Sequence, residues 1–170
     1  YTDEYENAPN VKVHFINAPV QGYWDQETMT NDDWKAMLKG RSQKDSTILI
    51  TRSQHAQLAY PVYIWLQNCP SNIDSTMTLY QQVQWAERDI LGLEKYGRQV
   101  KNRQLFFGTT YGFMAAGGDG AYCHVGSLAG ITKPDASSFD FWGVGHEWGH
   151  NNQVVSGFKW TGCGETTNNI

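Results

Sequence analysis

The sequence predicts one mixed α+β domain, on three observations. Strand-like and helix-like patterns mix without a regular βαβ rhythm. No internal repeat or low-complexity linker divides the chain. The 170 residues are 40% hydrophobic and 18% charged, enough apolar material for a core and too few charges for a disordered tail.

The elements follow in order. Residues 11–16, V-K-V-H-F-I, alternate apolar with polar side chains and read as a strand. A turn is expected around Gly22. Thr30 or Asn31 caps a short helix whose first turn holds Asp32 and Asp33 and whose end is marked by Gly40, the polarity that a helix dipole favours. Residues 46–51, S-T-I-L-I-T, are β-branched and apolar, the composition of a buried strand. The apolar stretch 53–67 reads as a helix that Pro61 starts or kinks. Ser75 or Thr76 then opens a helix in which Leu79, Val83, Ala86, Ile90 and Leu93 recur at helical spacing, with Gly97 past its end. Residues 104–108 and 120–125 read as strands, separated by a turn at A-A-G-G, 115–118. A last helix is expected to begin near Ser137, where S-S-F-D at 137–140 gives a start resembling a capping box.

Charge and composition exclude several classes of partner. The net charge is −4, and no stretch gathers basic residues into a stripe fit for a phosphate backbone, so nucleic acid is not expected. No window approaches the roughly 18 uninterrupted apolar residues that a membrane span needs. The opening Y-T-D-E-Y-E-N-A-P-N has neither the basic start nor the apolar run of a signal peptide, and the chain lacks an initiator Met, as in a processed or excised segment. Cys69, Cys123 and Cys163 are too few and too widely spaced for a disulfide framework or a structural zinc site, and read as small buried hydrophobes.

The chemistry concentrates in His146-Glu147-Trp148-Gly149-His150, an H-E-x-x-H pattern. On a helix, His146 and His150 share a face with Cβ atoms about 5–6 Å apart, so both imidazoles reach one zinc ion. Glu147 points about 100° around the helix, beside the metal, where it can take a proton from a water. Trp142, His146, Gly149, His150 and Gln153 fall on one side. Gly145 and Gly149 each cost about 1 kcal/mol against Ala inside a helix, so another backbone or a substrate is expected to lie close against it. Glu165, fifteen residues after His150 and beyond a turn at Gly157, is the candidate third ligand at the start of a helical stretch, 165–170. Two histidines and a glutamate leave a fourth zinc position open, the mark of a catalytic site. The competing reading of Glu165 is a plain carboxylate at a helix N-terminus. Asn152 and Gln153 are candidates to orient a histidine or the substrate, or are exposed amides. His124 reads as a strand histidine, and His14 and His55 carry no signal.

The run 145–153, G-H-E-W-G-H-N-N-Q, with 164–170, G-E-T-T-N-N-I, resembles the enhancin-like, mucin-targeting zinc metallopeptidases of bacteria and insect viruses. Strict resemblance covers residues 117–170, and Cys163-Gly164 before Glu165 departs from the expected pattern. The resemblance implies a zincin-like, gluzincin fold: a twisted sheet, an active-site helix with both histidines, and a second helix with the glutamate. It implies one Zn²⁺ as cofactor and glycoprotein substrates such as mucin. It also implies a secreted or bacterial cell-surface location, and residues 1–170 as the front part of a single catalytic domain that continues beyond Ile170. In such enzymes an edge strand pairs with an extended substrate, a role expected here for 118–125, with Gly118, Gly120, Ala121 and Tyr122 as contacts. The expected function is therefore a zinc-dependent endopeptidase of O-glycosylated proteins, with Glu147 as general base. A zinc aminopeptidase, and a non-catalytic glycan- or protein-binding module on the same fold, remain as alternatives.

Overall fold

A computed structural model describes residues 12–17, 21–98, 102–153 and 161–169. Among these residues six strands form one mixed sheet: β1 (Tyr23–Asp25), β2 (Ile48–Arg52), β3 (Ala56–Pro61), β4 (Gln104–Thr109), β5 (Met114–Gly117) and β6 (Gly120–His124), in spatial order β1-β2-β3-β4-β6-β5. Pairing is antiparallel for β2–β3 and β5–β6 and parallel for β1–β2, β3–β4 and β4–β6. Among the described residues six α-helices accompany the sheet: α1 (Asn31–Leu38), α2 (Val62–Asn68), α3 (Ile73–Ile90), α4 (Ala129–Thr132), α5 (Phe141–Asn152) and α6 (Gly164–Thr167). The mixed sheet and irregular order of elements are those of an α+β domain.

One face of the sheet holds the core. Leu49, Leu58, Tyr60, Phe106, Ala121 and Cys123 are buried, while the alternating Ile50, Ala59, Phe107 and Tyr122 are only half-buried. This period of two is the pleat of a sheet covered mainly on one side. Over the buried face α3 and α5 pack through aromatic edges: Tyr80 lies 5.4 Å from Trp148 and 6.2 Å from Phe106, and Phe106 lies 5.8 Å from Trp148. Trp148 is fully buried, so it fixes the rotation of α5 about its own axis. Removing so large a core side chain costs about 3–5 kcal/mol.

Local signals explain most helix boundaries. Thr30 caps α1, its hydroxyl accepting from Asp33 N at 3.2 Å while the Asp33 carboxylate accepts from Thr30 N at 2.8 Å. Asn72 caps α3, which therefore starts ahead of the expected Ser75 or Thr76 and ends before Leu93. Asp140, not Ser137, caps α5 by accepting from Gly143 N at 2.8 Å; Ser137 and Ser138 bond instead to Asp135. Among the described residues no helix is long and apolar enough to cross a membrane. Cys69, Cys123 and Cys163 are all free; the first two are buried, and burial pushes the Cys123 thiol up to about 11.

Tertiary pairing overrides four expectations. Residues 12–16 form no strand and are exposed, and Val11 lies outside the described residues. The expected single helix over 53–67 divides into β3 and α2 at Pro61. Hydrogen bonding of β3 on both sides makes a strand of an apolar run that helical periodicity also fits, and Pro61, lacking an N–H, ends it. The expected 115–118 turn is mostly β5, an edge strand held by the hairpin to β6.

The fourth correction concerns substrate pairing at 118–125. Strand β6 is interior, with β4 on one side and β5 on the other, so Gly120, Ala121 and Tyr122 have no free edge, and Gly118 lies in the hairpin turn. Gly120 serves the sheet itself: its φ is +130°, and a Cβ there would sit 2.7 Å from the Leu105 carbonyl oxygen. Of the two edge strands, β1 and β5, the one beside α5 is β5.

Candidate active site

Residues 141–152 are helical, which puts His146 and His150 on one face of α5 with ring centroids 4.8 Å apart. Trp148 turns into the core, so the histidines turn outward. Across from them α6 presents Glu165, whose Oε2 is 3.2 Å from His146 Nε2 and 3.1 Å from His150 Nε2. One donor atom from each residue falls within a 4.8 Å cluster. Donors about 2.0–2.1 Å from a tetrahedral zinc ion lie about 3.3–3.4 Å from one another; the two histidine–glutamate separations come close to that, and the chemistry of the donor set fits zinc. The Glu165 side chain is 80% exposed against 14% and 20% for the histidines, so the cluster opens to solvent on one side.

The two helices meet where α5 has no side chain. A Cβ on Gly149 would lie 2.0 Å from the Asn168 carbonyl oxygen, an impossible contact. Glycine there admits the backbone that carries Glu165, the close approach expected for this position. At Gly145 a Cβ would meet only Val83 Cγ1 at 3.6 Å, an ordinary contact, so no second backbone presses on that turn.

Glu147 is 6% exposed and lines the same cleft as the three candidate ligands. Burial raises its carboxyl above the usual range; the neighbouring His146 and His150 oppose that rise and Glu165 adds to it. The cleft, about 420 Å³, is walled opposite α5 by Met114, Ala115, Ala116 and Gly117 of edge strand β5. Asn151 pins that strand by donating to the Gly117 carbonyl at 2.8 Å.

Of the expected orienting residues, Gln153 lines the cleft and braces α6 by donating to the Gly164 carbonyl and Thr167 Oγ1. Asn152 is a correction: it turns to the underside of α5, accepts from Gln104 at 2.6 Å and donates to Glu87, a carboxyl that burial pushes up to about 8. The region of Gly157 and the residue Ile170 lie outside the described residues. Sequence reasoning passed over β5, Asn151, Asn168 and Asn169. The T-N-N tail was the available signal for the last two, without any indication of what they touch. Asn168 Nδ2 donates to the His146 carbonyl at 3.0 Å and lies 3.0 Å from His150 Nε2, and Asn169 Oδ1 lies 2.9 Å from His146 Nδ1.

Solved structures share this fold. A metallopeptidase in complex with Tn antigen has a TM-score of 0.76 at 22% identity, over 88% of this chain and 28% of that one. A metallopeptidase from Bacteroides thetaiotaomicron has a TM-score of 0.74 at 21% identity, over 88% and 25%. The M60 catalytic domain of Clostridium perfringens ZmpC, in complex with the sialyl T antigen, has a TM-score of 0.65 at 18% identity, over 87% and 31%. The chain thus spans between a quarter and a third of the length of these three structures. No curated protein gives a match. The model of the family described as peptidase M60, enhancin and enhancin-like, matches residues 21–170. Covering most of the chain and including both histidines, Glu147 and Glu165, that match identifies the protein as a member of the peptidase M60 family.

Proposed function

We propose that the chain carries the metal centre of a zinc-dependent endopeptidase that cleaves O-glycosylated, mucin-like proteins, and that residues 1–170 make up the front part of one catalytic domain. The observation that supports this most is the convergence of His146, His150 and Glu165 with Glu147 in one cleft beside a free sheet edge. His146, His150 and Glu165 hold one zinc ion. When bound, zinc polarises the scissile carbonyl and lowers the pKa of a water. Glu147, one residue after His146 and three before His150 on α5 and buried beside the cleft, accepts a proton from the attacking water as the C–O bond forms. It passes that proton to the amide nitrogen as the C–N bond breaks, so the products are a carboxylic acid and an amine. The free edge of β5 receives an extended substrate backbone as an added strand.

Two relatives with this fold are described in complex with the Tn and sialyl T antigens, which supports a glycosylated substrate. Family membership supports a secreted or cell-surface location. The test is to incubate the protein with zinc and a defined O-glycosylated peptide and to map the products by mass spectrometry. Internal cleavage is expected. Stepwise release of N-terminal residues would make the protein an aminopeptidase, and intact peptide with zinc bound would make it a binding module.

A further inference from the structure

We propose that Asn151 is a positioning residue that holds strand β5 in the place where it receives the substrate backbone. This role rests on the endopeptidase reading above and deepens it, because Asn151 is neither a candidate metal ligand nor the proton acceptor. It lies in the last turn of α5, directly after His150 and four residues after Glu147, so it shares the Glu147 face of the helix. Its Nδ2 donates to the Gly117 carbonyl at 2.8 Å. Gly117 ends β5, and both residues line the cleft. A carbonyl oxygen only accepts, so the amide nitrogen is the part of Asn151 that the contact requires.

Strand β5 needs such a tie. It has one neighbour, β6, and of its four residues Ala115, Ala116 and Gly117 have weak strand preference. Gly117, Gly118 and Asp119 are exposed at the hairpin tip, and a Cβ on either glycine would meet nothing within 4 Å. Among the described residues the bond from Asn151 is the only side-chain hydrogen bond to β5. His124 N donates to the Phe113 carbonyl, so by ladder alternation Ala115 and Gly117 face β6, while Met114 and Ala116 turn their N–H and C=O groups outward. Ala116 immediately precedes Gly117, so a tie on Gly117 fixes where the outward groups of Ala116 lie relative to α5. Without the tie the hairpin tip has more positions open to it, and the apparent substrate affinity falls with the fraction of time it spends in the receiving one. Once bound, the added strand itself holds β5, so the bond-breaking step changes little.

The experiment compares wild type with Asn151→Leu, which keeps the shape of the side chain and loses the donor, and Asn151→Gln, which keeps the donor on a longer stem. In cleavage of the O-glycosylated peptide, Asn151→Leu should raise KM about 3–10-fold, the worth of one hydrogen bond, with kcat little changed. Asn151→Gln should lie closer to wild type. Zinc affinity, measured by competition with a chelator, should be equal in all three. In the zinc-free proteins, amide hydrogen exchange at Ala115 and Gly117 should be about 3–10-fold faster in Asn151→Leu than in wild type. The proposal is overturned by unchanged KM or unchanged exchange in Asn151→Leu, by a KM in Asn151→Gln as high as in Asn151→Leu, or by weaker zinc binding in Asn151→Leu, which would place the effect in the metal site. No cleavage by wild type overturns the endopeptidase reading and the substrate role with it. Exchange needs neither metal nor peptide and tests the tie alone, so the two failures are distinguishable.

Discussion

Replacing Gly149 with Ala should separate metal binding from helix stability. The new methyl carbon would start 2.0 Å from the Asn168 carbonyl oxygen and 2.9 Å from its carbonyl carbon. Contacts below 3.0 Å do not occur at real Cβ atoms, so the backbone after α6 must retreat by about 1 Å or more. Overpacking of this kind costs about 1–3 kcal/mol, of which the better helix propensity of Ala returns about 1 kcal/mol. The net loss of stability is therefore small, about 0–2 kcal/mol. The loss at the metal is larger, because the same retreat carries Glu165 and Asn169 away from His146 and His150, and zinc sites tolerate only about 0.2 Å of error in ligand distance. Gly145→Ala is the matched control. Its methyl meets Val83 at 3.6 Å, so the helix should gain up to about 1 kcal/mol and the metal site should stay as it is. Thermal unfolding and chelator competition on both variants form the assay. Zinc affinity in Gly149→Ala equal to wild type would refute the account of how α5 and α6 meet.

Three further outcomes are expected. Glu165→Ala should lose zinc on dialysis while Glu147→Ala keeps it, as read by metal analysis; retained zinc in Glu165→Ala removes Glu165 from the site. The Glu87 carboxyl, raised from 4.5 to about 8 by burial, holds a proton that the unfolded chain releases near pH 4.5. Stability should therefore fall as pH rises from about 4.5 to about 8, by up to about 1.4 kcal/mol per pH unit, and urea unfolding of Glu87→Gln should lack that slope. His124 N donates to the Phe113 carbonyl at 2.7 Å, so by ladder alternation Ala116 turns its N–H outward. Ala116→Pro should then raise KM about 3–10-fold, the worth of one hydrogen bond, with kcat little changed; an equal fall in kcat would argue against substrate pairing on β5.

What the sequence disclosed follows from the range of the interactions involved. Helix α1 was legible because Thr30 and Asp33 cap it within four residues, and α5 because the ligand spacing itself requires a helix. Strand β5 was not legible. Ala115, Ala116 and Gly117 have weak strand preference, and only pairing with β6 makes them a strand. Residues 53–67 misled because an apolar run fits both periods until β2 and β4 flank it. The order of strands, and so the identity of the free edge, is a long-range property that no local pattern states. At the candidate site, the convergence of His146, Glu147, His150 and Glu165 on one cleft was legible from type and spacing, and Gly149 announced a close approach. The partner in that approach, Asn168, and the contact from Asn169 to His146 depend on how two helices cross.

The central claim is that this cleft cleaves peptide bonds with Glu147 as the proton acceptor. Glu147→Gln keeps size and hydrogen bonding and removes only that capacity. The decisive measurement is the rate of cleavage of an O-glycosylated peptide by wild type and Glu147→Gln, each with its bound zinc quantified. The account predicts equal zinc in both and turnover lower by roughly 10²–10⁴ in the variant. Equal rates at equal zinc would contradict it.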